Sequence, residues 1–196
     1  VDPGAPGDFA RLLRDCFSDS ATSESGELPC RGIVHLWSLD TAFDQIIRAD
    51  DLQEAQLIGC GSALHLVQAL AQSGWERIPR LCLVTRGAQL VQTDFHPVQA
   101  QQTALWGLGQ VISLEYPDLH CLRVDLDPST GSDAVANLFE AIRGVAKEDR
   151  IAYRQDVPYS ARLARTDYPV NGQSAPIRKD GSYLITGGLG ALGLKV

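Results

Sequence analysis

The strongest constraint on the fold is a switch between two periodicities, met three times in succession. An apolar run, Gly32–Trp37 (Gly-Ile-Val-His-Leu-Trp), reads as a strand. After a less regular stretch to Ala49 comes a helical pattern over Asp51–Ser73, with Leu57, Leu64, Val67, Leu70 and Ala71 on one face. Gly59 and Gly61 are poor helix formers and predict a bend or close packing there, and Gly74 closes the helix. A second strand, Arg80–Thr85, precedes a helix opened by Pro97 and carried by Val98, Leu105, Leu108 and Ile112 through Glu115, where Pro117 prevents continuation. A third strand, Cys121–Leu126, leads to a helix capped by Ser132, with Val135, Leu138, Phe139, Ile142 and Val145 at helical spacing. Strands that alternate with helices imply a parallel sheet, because parallel neighbours need a long crossover.

The flanks differ in character. Residues 1–26 form a linker with a short helix: Val1–Gly7 is rich in proline and glycine, Asp8 caps Phe9–Phe17, and Ser18–Gly26 is polar. Phe9, Leu12, Leu13 and Phe17 fall on one face of that helix. Ile151–Arg154 and Tyr159–Leu163 read as a hairpin around Gln155-Asp156, completing a unit over 27–166. A second linker spans 167–180.

A fresh element then begins at 181–196. Tyr183–Thr186 reads as a strand suited to a buried sheet, expected here to be disordered, to pair with the first unit's sheet edge or to pair with another copy, and Gly188-x-Gly190-x-x-Gly193 comes after it. That spacing suits a dinucleotide: one glycine for the tight turn, one for approach of the pyrophosphate, one for helix packing. A helix starting near Gly190 would aim its free N–H groups at the phosphates. The candidate cofactor-binding residues are Thr186, Gly187, Gly188, Leu189, Gly190, Leu192 and Gly193. The first unit has no such turn, since Trp37-Ser38-Leu39-Asp40 closes its first strand.

Composition narrows the function classes. A net charge of −7 argues against a nucleic-acid or anionic-membrane partner, both of which favour a basic face. The five cysteines lack metal-ligand spacing and read as free, buried thiols in the reducing cytoplasm. No spacing of histidines and acids predicts a metal site, and His35 and His65 read as core or half-buried. Tyr153, Tyr159 and Tyr168 lack a lysine or asparagine four residues on and read as structural. Trp106, Gly107 and Gly109 read as helix packing, and Asp125 and Asp127 as turn formers. No catalytic residue is assigned. The absence of methionine is what an internal piece of a longer polypeptide would show.

Several stretches together carry a resemblance. Leu105-Trp106-Gly107-Leu108-Gly109-Gln110-Val111-Ile112-Ser113-Leu114-Glu115-Tyr116-Pro117 resembles a segment of ketoreductase regions in modular polyketide synthases, departing from it at Gln110, where the family has arginine. Val124-Asp125-Leu126, Tyr153-Arg154, Tyr159 with Arg162-Leu163, and Thr186–Gly193 resemble further family motifs in the same order. The resemblance implies an α/β chain: a truncated Rossmann-like parallel sheet flanked by helices, followed by the first βα element of a second Rossmann fold. It implies that 27–166 is a non-catalytic structural subdomain. Residues 181–196 would then begin a short-chain dehydrogenase-type subdomain that binds NADPH and reduces the β-ketone of an acyl chain on an acyl carrier protein. Implied partners are the rest of that catalytic subdomain, neighbouring synthase domains and the carrier protein. This chain alone is expected to bind NADPH weakly or not at all. The alternatives are a non-catalytic pseudo-ketoreductase scaffold bracing neighbouring domains and, more weakly, a free-standing nucleotide sensor.

Overall fold

The structure, a computed structural model, describes residues 1–17, 30–41, 48–91, 96–129, 133–144, 148–165, 178–191 and 193–195. The expected polar stretch Ser18–Gly26, the Ser132 cap, Val145, Tyr168, most of the 167–180 linker and Leu192 lie outside the described residues. The chain divides into two units, Val1–Ala161 and Arg162–Val196.

The first unit is built on a five-stranded sheet in the order β1-β2-β3-β4-β5. Its strands are β1 (Gly32–His35), β2 (Arg80–Arg86), β3 (Leu122–Leu126), β4 (Arg150–Arg154) and β5 (Val157–Tyr159). The first four run parallel, and β5 pairs antiparallel with β4. The helices are α1 (Pro6–Phe17), α2 (Ala49–Gln56), α3 (Ser62–Gln72), α4 (Ala100–Glu115) and α5 (Ala134–Ile142).

β2 and β3 are buried along nearly their whole length because both of their faces are covered. Leu81 and Leu83 point to the face carrying Phe9 and Leu13 of α1, Leu66 and Leu70 of α3, and Leu105 and Ile112 of α4. Cys82 and Val84, one residue out of phase, join Val124, Ile151 and Tyr153 beneath Ala141 of α5.

Several expectations are corrected in this unit. The helix over 51–73 is three pieces, with a π-helical turn at Leu57–Gly61 between α2 and α3. The wider turn is stabilised by the Ser62 hydroxyl, which donates to the Ile58 carbonyl. One extra residue in the turn rotates the rest of the helix by about 100°. Val67 and Leu70 are therefore buried with Ala63 and Leu66, while Leu57, Leu64 and Ala71 face outward. α4 begins at Ala100 rather than Pro97, because the Gln99 N–H is held by the Gly87 carbonyl at 2.8 Å.

On α5 the cap is Asp133, whose carboxylate accepts from Ala136 N–H at 2.9 Å. Of the described residues in the expected core stripe of that helix, only Leu138 faces the sheet, beside Ala134 and Ala141, while Val135 is exposed by 80%, Phe139 by 58% and Ile142 by 38%. The rotation is set by Asn137, which donates to Asp156 at 2.8 Å. The hairpin turn is where it was expected. Gln155 and Asp156 sit at φ 51° and 62°, the two positive values of a tight two-residue turn. That tight turn starts β5 at Val157, two residues early, and leaves Leu163 fully exposed.

In the second unit the expected buried strand is absent. Tyr183, Leu184 and Ile185 are irregular and exposed. A strand takes its ladder from a neighbour, and this unit offers no partner strand among its described residues. The Tyr183 hydroxyl instead folds back to accept the Arg178 N–H, beside an Arg178–Asp180 ion pair of 2.6 Å. Among the described residues no α-helix starts near Gly190; Gly193–Lys195 is a single 3-10 turn.

Candidate functional site

Open α/β sheets bind nucleotides outside the carboxyl ends of their strands, where the strand order reverses. The order β1-β2-β3-β4 does not reverse. At the carboxyl ends of β2, β3 and β4 stands a closed polar cluster centred on Asp125, which is fully buried. Its carboxylate accepts from the Thr85 hydroxyl at 2.6 Å and from the main-chain N–H groups of Ala88 at 2.8 Å and Gln89 at 3.1 Å. Arg154, 4% exposed, donates to it at 2.8 Å and also reaches the carbonyls of Gln89 and Tyr153. Trp106 Nε1–H donates to Thr85 Oγ1 at 2.9 Å, tying α4 into the cluster.

Amides after a strand are the groups that cradle phosphate in a nucleotide fold. In this unit the amides of Ala88 and Gln89 are saturated by a carboxylate of the chain itself, and that charge is neutralised by Arg154. The expectation that Asp125 forms a turn is corrected; it is a buried acceptor on a central strand. Asp127 is the turn former, accepting from Ser129 N–H at 2.7 Å and Ser129 Oγ–H at 2.6 Å. Burial opposes its charge, but the Ser129 hydroxyl and the amides of Gln155 and Ser129 prevail and hold its pKa below the usual value.

The Trp106-Gly107-Leu108-Gly109 segment packs as expected at one glycine only. A methyl group on Gly109 would stand 2.7 Å from Cδ of Arg123, whereas Gly107 has nothing within 4 Å. Arg123 is 1% exposed and threads past Gly109 to donate to Gln110 Oε1 at 2.9 Å and Asp149 Oδ2 at 2.5 Å. Gln110 thus serves as an acceptor, which an arginine at that position could not do.

The second candidate region is the glycine segment. Thr186, Gly187, Leu189 and Gly190 are exposed, and Gly188 and Gly193 are half-buried. The Gly190 N–H closes on the Gly187 carbonyl at 2.8 Å, and the Leu194 N–H on the Gly190 carbonyl at 3.0 Å. A Cβ on Gly193 would lie 2.4 Å from Gly188 Cα, so the two glycines meet backbone to backbone. The described residues of this segment form turns and a single 3-10 turn rather than a helix start. Leu192, also expected to line it, lies outside the described residues.

Among the described residues no group of three or more His, Cys, Asp or Glu is placed to hold a metal, and no helix is long and apolar enough to cross a membrane. The five cysteines are free thiols. Burial pushes Cys82 up to about 12 and Cys121 up to about 11, so both are inert; Cys16 is exposed, against expectation. Sequence reading missed the Asp125–Arg154 pair. Its signal was an acid on a central strand flanked by Val124 and Leu126, and an arginine closing the next strand, since buried charges require partners.

Known proteins of similar sequence and structure point to the same family. Residues 12–163 match the family described as the Rossmann fold domain of the polyketide synthase extender module SpnB. The pikromycin polyketide synthase component PikAIII of Streptomyces venezuelae is 40% identical over 130 residues, 65% of this chain and 8% of that protein. A solved A1-type ketoreductase superposes with a TM-score of 0.67 at 28% identity, covering 86% of this chain and 32% of that one. A multidomain structure with adenylation, ketoreductase and pseudo Asub domains, from a keto acid-selecting NRPS module, gives a TM-score of 0.72 at 25% identity, over 99% of this chain and 16% of that one. The chain therefore spans a small part of the proteins it matches.

Proposed function

This chain belongs to the Rossmann fold domain family of polyketide synthase extender modules, as a ketoreductase region, and on that premise we propose that it joins a non-binding brace to the opening of a cofactor site. In this reading residues 27–166 are the structural subdomain, 167–180 a linker, and 181–196 the start of a catalytic subdomain. The observation that carries it is the Asp125 carboxylate, which takes up the amides of Ala88 and Gln89. The brace keeps the nucleotide-fold shape while its anion position is filled from within.

Thr186, Gly187, Gly188, Leu189, Gly190, Leu192 and Gly193 would line the pyrophosphate of NADPH in the complete synthase, where the cofactor supplies hydride to a β-ketone on an acyl carrier protein. The glycines permit close backbone approach, and no residue of this chain handles the proton or the hydride. The synthase is placed in the cytoplasm, in contact with its own neighbouring domains.

The test is NADPH consumption with a β-ketothioester. The chain alone is expected to give no turnover above the blank. The complete synthase polypeptide is expected to reduce the substrate, and Gly188→Val to abolish that activity. Turnover by the chain alone, or a Gly188→Val synthase of full activity, would overturn the reading.

A further inference from the structure

His35 ends β1, buried at 5% exposure against the π-helical turn. Its Nε2 lies 2.7 Å from the Ser62 hydroxyl. Ser62 has one proton, and it is committed to the carbonyl of Ile58. The hydroxyl must therefore accept from His35, which makes Nε2 the protonated nitrogen and leaves the lone pair on Nδ1. Among the described residues Nδ1 makes no hydrogen bond. Trp37 stands edge-on to the imidazole at 5.6 Å, and Phe9 of α1 packs on Trp37 in turn.

Among the described residues the surrounding elements carry Cys60 on the π-helical turn, His65 on α3, which bonds the Pro3 carbonyl and touches Phe9, Asp8, Arg11, Arg14, Asp15 and Cys16 on α1, Asp40 on the 3-10 turn Trp37–Asp40, and Arg80 and Arg86 at the two ends of β2. Cys82 on β2 lies across from Val34 and points to the opposite face of the sheet. No acidic side chain among the described residues faces the ring; burial disfavours its charge, and only its own main chain favours it.

The pair holds a weakly anchored element. α2 buries only Ala55 and is tied to α4 through Gln56, whose Nε2–H donates to the Gln101 carbonyl at 3.0 Å. Its chain continues into the π-helical turn, which Ser62 stabilises through Ile58 and His35 fastens to β1.

We propose that the His35–Ser62 pair is an acid-sensitive latch: a proton taken up from solvent at His35 Nδ1 puts an N–H and a charge into a buried site where, among the described residues, only the histidine's own main chain stands opposite them, and the turn releases from β1 with α2 following. The sheet stays intact, because its core contacts do not pass through His35. The release is a local opening rather than global unfolding.

The experiment is amide hydrogen exchange on the whole chain at pH 7 and pH 4.5, each corrected for intrinsic rate, with the imidazole ¹⁵N shifts followed in parallel. Protection at Ile58–Ala63 is expected to fall at least tenfold relative to Leu81–Thr85 at the lower pH. The His35→Gln chain, which keeps an N–H donor but does not titrate, should hold that ratio constant. Equal loss in His35→Gln, or no loss in the unsubstituted chain, would overturn the latch. Should the variant fail to fold, the ¹⁵N titration decides alone. The latch requires the Nε2–H form at neutral pH and protonation well below that of an exposed histidine; an ordinary titration midpoint contradicts it.

Discussion

Two segments of this chain resemble places where a nucleotide fold meets phosphate, and they are opposites. At the ends of β2 and β3, the amides of Ala88 and Gln89 close on the Asp125 carboxylate, which is buried and paired with Arg154. In the described part of Thr186–Leu194 the residues with the better sequence credentials are mostly exposed, and Gly187, Gly190 and Leu194 are bonded to one another through their main chains. The difference separates shape from capacity. A Rossmann-like sheet does not bind a nucleotide by being one; its amides must be left free for an outside anion. The first region has given that freedom up for a self-neutralised loop, and the second keeps its glycines in turns, with no strand among its described residues.

The largest expected effect breaks the first region. Asp125→Ala leaves Arg154 buried without its anion and removes the acceptor for Thr85, Ala88 and Gln89, and should cost about 3–5 kcal/mol in urea unfolding. A cost under about 1 kcal/mol would mean that the cluster is not what holds the loop.

Next comes acid. Burial pulls His35 down from 6.5 to about 4. The unfolded chain then binds the extra proton more readily, so stability is full above the ordinary histidine pKa and is lost as the pH falls toward 4, by about 3 kcal/mol across that window. Denaturation midpoints measured across the same window check it, and the His35→Gln chain should lose correspondingly less.

The third prediction sets two glycines against each other. Gly109→Ala drives a methyl group into Arg123 and should cost about 1–3 kcal/mol. Gly107→Ala meets nothing and should stabilise the helix by about 0.5–1 kcal/mol. Thermal melts of the two variants should shift in opposite directions.

The smallest effect belongs to the second region. Leu184→Ala removes an exposed side chain and should change stability by no more than about 0.5 kcal/mol. A larger loss would reveal packing of Leu184 and would narrow the contrast between the two regions.

The sheet itself was legible because strand runs and helical spacing alternate, and the Gln155-Asp156 turn announced itself. The rotation of the helices was not. Leu57 and Leu64 fit a regular helix, but the π-helical turn at Leu57–Gly61 moves them outward. Val135 and Phe139 fit the apolar rule better than Asn137, yet the hydrogen bond from Asn137 to Asp156 turns them to solvent. Periodicity reports which residues share a face, while tertiary polar contacts choose which face goes in. The same limit applied to the candidate site. The glycine spacing was plain, but the Asp125–Arg154 pair joins residues far apart in the chain, and a local reading took Asp125 for a turn residue. Tyr183–Ile185 looked like a buried strand because its side chains suit one, and a strand also needs a neighbour.

The contrast between the two regions can be tested directly by amide hydrogen exchange on the chain with and without NADPH. The account predicts that Ala88 and Gln89 are strongly protected, that Leu184 to Leu189 exchange near their intrinsic rates, and that NADPH changes neither. Free exchange at Ala88 and Gln89, or protection gained there when NADPH is added, would contradict it.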